Sequence, residues 1–192
     1  MNRFFRFLLL LAATWLLPGA AFSGNPPLDL VDLNGQRIDP FQQPKTTASA
    51  FLFVRTDCPI SNAYAPEIRR LHEKYASRGV AFWLVYLDRD EAPAAIRKHV
   101  AEYQYPCGVL RDSRHALAKA CGARVTPEAA VYSAQGKLVF VGRIDDRYVA
   151  FGKSRPEATT HDLDESLTAL LAGRPVPRPA GPAIGCFIED LK

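Results

Sequence analysis

Cys58 is the residue of this sequence best placed to do chemistry, because it lies between an apolar run, Ala48–Val54, and a helix-like pattern. Pro59 suits the first position of a helix, where a missing N–H costs no intrahelical hydrogen bond. The free amide groups and the dipole at a helix start favour thiolate over thiol. The sequence therefore predicts a nucleophilic or electron-exchanging thiol at Cys58, with the Ser61 hydroxyl in reach of it.

Three further cysteines could act as partners of Cys58, and four cysteines allow three pairings. One pairing joins Cys107 to Cys121. This disulfide would close a loop of about 15 residues and stabilise the folded protein by about 3 kcal/mol. That pairing leaves Cys58 to exchange with Cys186 as a resolving thiol. The apolar segment Ile184–Ile188 is expected to dock on the domain and to carry Cys186 there. Alternatively, Cys186 pairs with another molecule or stays free.

A proline opens the apolar segment that follows Val125 and Thr126. Proline is excluded from central strands, so Pro127 indicates an edge, a special turn or a cis bond.

Four acids are candidates for tuning a thiol or moving protons, and each is more often a solvated surface group: Asp57, Glu67, Asp145 and Asp146. A further alternative is a copper site formed by Cys58, Cys186 and one histidine.

Strand-length apolar runs alternate with helical stripes, which predicts an α/β fold with a central mixed sheet flanked by helices. The chain opens with a β-hairpin over Leu28–Phe41, where Asn-Gly forms the turn. The predicted strands are Ala48–Val54, Val80–Leu87, Gly108–Leu110, Ala129–Tyr132 and Leu138–Arg143. The predicted helices are Pro59–Arg78 (kinked or restarted at Pro66), Ala92–Tyr103, His115–Cys121 and Asp162–Ala172.

The N-terminus has the pattern of a secretory signal peptide over residues 1–23. Arg3 and Arg6 precede the apolar run Phe7–Leu17, and Ala21–Ser23 supplies small residues for cleavage. The alternative is an uncleaved anchor, but the run is shorter than the roughly 20 residues that span a bilayer. We expect a periplasmic or secreted protein with one domain at 24–172, an extended proline-rich tail at 173–192 and no stable membrane span after cleavage.

The charge and the hydrophobic content of the sequence limit the kinds of binding partner that we expect. The net charge of +4 comes from 24 basic and 20 acidic residues scattered along the chain, so nucleic acid is not expected. With 48% hydrophobic residues, the chain has enough apolar material for a packed core. No cofactor and no resident metal are expected.

On these residues the chain resembles the thioredoxin superfamily, in particular its peroxiredoxin-like redoxin branch. The matching segments are Phe51–Ser61, Gly79–Val85, Ala120–Glu128 and Gly142–Asp146. The resemblance implies a thioredoxin-like fold with Cys58 as the redox residue. It also implies that Pro127 is cis and packs beside Cys58, and that the backbone before it pairs with substrate, so that Cys58, Thr126 and Pro127 form one site.

Two departures limit the activity that the resemblance implies. Thioredoxins have a second cysteine where this chain has Ser61, which removes the short-range disulfide. Peroxiredoxins have proline and threonine where this chain has Phe51 and Arg55. We expect an exported thiol–disulfide oxidoreductase, resolved by Cys186, that acts on protein disulfides or thiols. The alternatives are a thiol peroxidase using Cys58 and a non-enzymatic copper- or protein-binding module.

Overall fold

A five-stranded mixed sheet forms the centre of the molecule. The computed structural model describes residues 28–189, so the predicted signal segment lies outside the described residues. Its strands are β1 (Ala48–Val54), β2 (Val80–Tyr86), β3 (Gly108–Arg111), β5 (Glu128–Ser133) and β6 (Leu138–Gly142). They lie side by side in the order β3-β2-β1-β5-β6. Strands β1, β2 and β3 are parallel to one another, while β5 is antiparallel to both of its neighbours, β1 and β6, which confirms the predicted mixed sheet.

The helices cross over between these strands, close to their predicted positions. They are α1 (Pro59–Ala63), α2 (Ala65–Tyr75), α3 (Pro93–Glu102), α4 (Ala116–Cys121) and α5 (Asp162–Leu171). The predicted helix Pro59–Arg78 is divided at Tyr64, because Pro66 lies in the first turn of α2 and has no N–H to continue the α1 ladder. A 3-10 turn, Ala76–Arg78, ends it at Gly79, whose φ of 85° is in the left-handed region.

The sheet separates two hydrophobic clusters. Alternate residues of β1 point to opposite faces, so Leu52 belongs to one cluster and Phe51 to the other. The first cluster, which includes Cys58, receives the apolar stripes of α2 and α5. The predicted α2 stripe is confirmed, since Ile68 and Leu71 are fully buried there. The second cluster receives α4 and the N-terminal segment.

Three short strand pairs and turns complete the fold. The predicted N-terminal hairpin takes a minimal form, in which only Val31 and Arg37 form a bridge across the Asn-Gly turn. Strands β7 (Tyr148–Ala150) and β8 (Lys153–Ser154) form a surface hairpin. Strand β4 (Val125–Thr126) pairs with β9 (Cys186–Phe187) near the C-terminus. Within residues 28–189, no helix is long and apolar enough to cross a membrane.

The segment after α5 runs along the domain surface toward β9. Pro179 packs on Gly142, where an added Cβ would lie 2.8 Å from its ring. The Ala180 N–H donates to Asp162 at 2.8 Å, and Ile184 packs against the first cluster. The docking predicted for the apolar end of the chain is confirmed by the pairing of β9 with β4.

Candidate redox site

Cys58 lies at the N-cap of α1, four residues after the end of β1, and its side chain is fully buried. Its φ and ψ of −90° and 108° are extended, so the chain turns from strand to helix at this residue. Pro59 occupies the first turn of the helix, as the sequence predicts. The Ser61 backbone N–H is within hydrogen-bonding reach of the Cys58 sulfur.

The loop before β5 covers Cys58. The Thr126–Pro127 peptide bond is cis, and the Cys58 thiol donates a hydrogen bond to the Thr126 carbonyl at 3.1 Å. Thr126 is itself fully buried. The structure thus brings Cys58 together with the adjacent pair Thr126 and Pro127, which lies far from it in the sequence.

Strand β9 brings the fourth predicted residue, Cys186, to the same place. Cys186 is the register partner of Thr126, whose carbonyl accepts the Cys58 thiol, and hydrogen bonding from the Cys186 thiol and backbone N–H lowers the pKa of Cys58. An added Cβ at Gly185 would lie 2.1 Å from the Thr126 carbonyl oxygen, so only glycine permits this approach. Beyond the strand, Ile188 is buried in the second cluster, and its N–H donates to the Arg124 carbonyl at 3.0 Å.

The two thiols have opposite electrostatic characters. Burial raises the pKa of Cys58, but hydrogen bonds from Cys186 and Ser61 outweigh it and hold the pKa below its ordinary value. Burial and the neighbouring Cys58 sulfur together raise the pKa of Cys186 to about 12. Of the two thiols, Cys58 therefore ionises at the lower pH, and Cys186 is still protonated at neutral pH.

Ser61 occupies the position of a second cysteine and faces the same sulfur. Its hydroxyl oxygen is buried and has no conventional hydrogen-bond partner within residues 28–189 while Cys58 is protonated. Its hydroxyl and backbone N–H contribute to the lowered pKa of Cys58, because both can donate to the ionised sulfur. The side chain is thus a thiolate-stabilising donor.

The pairing of Cys107 with Cys121 is not formed. All four cysteines are free thiols in the structure. Cys107 packs against the first cluster and Cys121 belongs to the second, so the sheet lies between them. Burial raises the pKa of each of these two thiols to about 12, which makes both poor nucleophiles.

The two departures from the peroxiredoxin pattern have structural roles. Phe51 is fully buried in an aromatic group with Phe41 and Tyr132, on the face of the sheet opposite Cys58. Arg55 donates to both carboxylate oxygens of Asp57, at 2.9 and 3.0 Å. The pKa of Arg55 is raised by this hydrogen-bonded pair.

The remaining candidate acids have partners other than the thiols. Glu67 accepts two bonds from Arg70. Asp145 accepts the Tyr64 hydroxyl at 2.5 Å, and Asp146 anchors the backbone N–H groups of residues 159 and 160. These contacts give the acids structural roles rather than proton transfer at Cys58.

The copper site suggested by the sequence is not assembled. His99 is bonded through both ring nitrogens, and His115 is bonded to the Leu87 carbonyl. His72 packs on the Phe82 ring. The fourth histidine, His161, lies with Glu67 and Asp145, whose ligand atoms are all within 4.8 Å of one another, but both carboxylates already have partners there.

Sequence reasoning missed several residues that build this site. Gly185 allows the tail to approach, and Ile188 anchors it. Asn62 and His99 support the loop before Cys58 from behind. Two of these features have local signals in the sequence: the Gly-Cys-x-Ile spacing around Cys186, and the position of Asn62 next to Ser61. His99 has no such signal, because the residues that it contacts are remote in the sequence.

Comparison with known proteins places the chain in a family. The redoxin family model matches residues 18–154. No curated protein matches the sequence. An uncharacterized conserved protein from Geobacillus kaustophilus is 29% identical, with a TM-score of 0.70 over 85% of this chain and 88% of that one. A hypothetical protein from Sinorhizobium meliloti is 27% identical, with a TM-score of 0.71 over 83% and 88%.

A more distant structure shares the fold alone. It is a thioredoxin-like protein from Aeropyrum pernix, 18% identical, with a TM-score of 0.52 over 59% of this chain and 78% of that one. The mixed sheet, the strand–cysteine–helix junction and the cis-proline loop agree with the family match. The chain belongs to the redoxin family of the thioredoxin superfamily.

Proposed function

We propose that this protein is an exported thiol–disulfide oxidoreductase in which Cys58 is the nucleophile and Cys186 is the resolving thiol. The observation that carries the proposal is the placement of Cys186 beside Cys58: the Cys58 thiol bonds the Thr126 carbonyl, and Cys186 is the register partner of Thr126 in the pairing of β9 with β4. Two thiols so placed, one with a lowered and one with a raised pKa, fit the division of labour between attacking and resolving cysteines.

The proposed reaction has two thiol–disulfide exchange steps. The Cys58 thiolate attacks one sulfur of a partner disulfide, which forms a mixed disulfide and releases the other partner sulfur as a thiolate. Cys186 then loses its proton and attacks Cys58, which forms the Cys58–Cys186 disulfide and releases the second partner thiol. The partner gains two electrons and two protons, and an external dithiol restores the reduced pair.

The raised pKa of Cys186 delays its attack until the first step is complete. Burial and the charge of Asp57 raise that pKa, and so do two effects of Cys58, namely its hydrogen bond with Cys186 and its charge. The last two disappear when Cys58 becomes part of a mixed disulfide, because a disulfide sulfur carries no charge. The pKa of Cys186 then falls, and the resolving thiolate becomes available.

A thiol peroxidase is the second candidate, favoured by the complete burial of Cys58. A peroxide is small enough to reach a covered sulfur, whereas a protein disulfide needs β9 to move aside. In this reaction the Cys58 thiolate takes one peroxide oxygen to give a sulfenic acid, and the other oxygen leaves as water after protonation. Cys186 then condenses with the sulfenic acid and releases a second water.

One set of variants separates these functions. We expect the native protein to reduce insulin disulfides with a dithiol donor, and Cys58→Ser to abolish this. Cys186→Ser should accumulate the mixed disulfide, while Cys107→Ser is the matched control that retains activity. Consumption of hydrogen peroxide without insulin reduction would replace the first function by the second. Copper retention that depends on Cys58, without either activity, would favour a binding module and overturn both.

Export is proposed from residues 1–23 and is tested separately. We expect the mature protein in the periplasmic or secreted fraction, with an N-terminus near Gly24. Recovery of the full-length chain from the cytosol would contradict this part of the proposal.

A further inference from the structure

Three polar side chains, two of them buried and the third, Asn62, half-buried, lead from the sheet to the loop before Cys58. Tyr86 contacts Nδ1 of His99 at 2.8 Å, and Nε2 of His99 contacts Oδ1 of Asn62 at 2.8 Å. The Asn62 amide Nδ2 donates to the Thr56 carbonyl at 3.0 Å. We call Tyr86, His99 and Asn62 the buried chain.

The hydrogen bonds of the buried chain have one consistent direction. The Thr56 carbonyl only accepts, so Asn62 donates to it through Nδ2 and turns its Oδ1 toward His99. His99 therefore carries its proton on Nε2 and accepts from the Tyr86 hydroxyl at Nδ1. Burial lowers the pKa of His99, which keeps this neutral form at physiological pH, although Glu102 acts in the opposite direction.

Asn62 bonds to the backbone at Thr56 and at Cys58 itself. Its side chain bonds the Thr56 carbonyl, two residues before the cysteine, and its backbone N–H bonds the Cys58 carbonyl at 3.0 Å. The Thr56 hydroxyl is bonded in addition to Glu91, which precedes α3. The loop is thus held by three hydrogen bonds, two from Asn62 of α1 and one with Glu91.

We propose that the buried chain is a positioning device that holds the Thr56–Cys58 loop so that the Cys58 sulfur faces its hydrogen-bond donors. Hydrophobic side chains could fill the same volume without requiring matched polar partners. The buried polar groups all have partners, and their series ends on the backbone two residues before the sulfur. Displacing a positioned donor by a few tenths of an ångström weakens its hold on an ion, so the loop geometry governs the thiolate.

This inference rests on the proposed role of Cys58 as the reactive thiol, and its readout is the titration of that thiol. The pH dependence of Cys58 alkylation is followed by mass mapping in the native chain, Asn62→Leu and Tyr86→Phe. We expect Asn62→Leu to move the Cys58 titration upward by about 0.5–1 pH unit. Tyr86→Phe should move it in the same direction by less, because it acts through two intervening bonds.

Tyr105→Phe is the matched control. Its ring packs 5.7 Å from His99, and its hydroxyl is buried without a hydrogen-bond partner within the described residues. This variant removes a buried hydroxyl beside the same histidine and should leave the titration unchanged. An unchanged titration in Asn62→Leu, or equal shifts in the two tyrosine variants, would overturn the inference. A shifted titration in a protein without redox activity would refute the proposed function and leave the positioning role standing.

Discussion

Gly185→Ala is the substitution that best separates docking of β9 from the chemistry of its cysteine. The new Cβ would lie 2.1 Å from the Thr126 carbonyl oxygen and 2.6 Å from its carbon, which are backbone atoms of a buried loop. Neither side of this contact can move without breaking the pairing of Thr126 with Cys186. We therefore expect β9 to detach while both cysteines remain in the chain.

The size of the effect follows from what β9 buries. Ile188 is 7% exposed, and burying such a side chain contributes about 1.5–3 kcal/mol. Its backbone hydrogen bond to Arg124 adds about 1 kcal/mol. A loss of about 2 kcal/mol, which is slightly below the lower end of this sum, raises the open fraction about 30-fold, since about 1.4 kcal/mol corresponds to a factor of ten.

The assay is the alkylation rate of Cys58 in the reduced protein, scored by peptide mass mapping. The measurement is made above pH 9, where the exposed thiol of the open form, with the ordinary cysteine pKa of about 8.5, is mostly ionised in each variant. Because Cys58 is fully buried in the closed form, its alkylation rate is proportional to the open fraction. We expect the rate in Gly185→Ala to be about 30 times that of the native chain.

Gly181→Ala is the matched control, in the same tail. Its Cβ would lie 2.9 Å from Nη1 of Arg143, a side-chain atom rather than backbone, so any strain falls on the Arg143 side chain and its bonds to Asp162 and Thr160 and not on β9. We expect alkylation of Cys58 at close to the native rate. A native rate in Gly185→Ala, or equal acceleration in both variants, would refute the reasoning that β9 covers the thiol.

Other predictions concern the thiols and one buried ion pair. Cys186→Ala should raise the pKa of Cys58, because it removes the thiol that hydrogen-bonds to the thiolate; the pH dependence of thiolate absorbance measures this, and a fall in the pKa would contradict it. Cys107 and Cys121, with pKa values of about 12, should resist alkylation at neutral pH in the folded protein, and mass mapping that finds either labelled as fast as Cys58 would oppose this. Arg143→Ala should destabilise the fold by about 3–5 kcal/mol in urea titration, because it leaves a buried carboxylate unpaired, and a loss below about 1 kcal/mol would refute it.

The core of the fold was predictable because its signals are local. The strand Ala48–Val54 was predicted at its observed bounds from an apolar run alone. The apolar stripe of α2 followed from spacings of three and four residues. The N-terminal hairpin was overestimated, because the Asn-Gly turn formed without enough paired residues on either side to extend it beyond one bridge.

The site was only partly predictable, because most of it depends on contacts between distant segments. Cys58, Pro127 and Cys186 stand out by residue type and neighbours, and the structure brings them together. The position of His99 behind the loop follows from the packing of α3 on the sheet, which leaves no pattern near Asn62. The pairing of Cys107 with Cys121 failed because loop length says nothing about which face of the sheet each cysteine occupies.

The central claim is that Cys58 and Cys186 form one redox pair. Its most direct test is disulfide mapping of the full-length protein by mass spectrometry, after reduction and after mild oxidation with a disulfide or with hydrogen peroxide. We expect four free thiols after reduction and a single intramolecular Cys58–Cys186 disulfide after oxidation. A free Cys58 after oxidation, or a disulfide that joins Cys58 to any other cysteine of the chain, would contradict it.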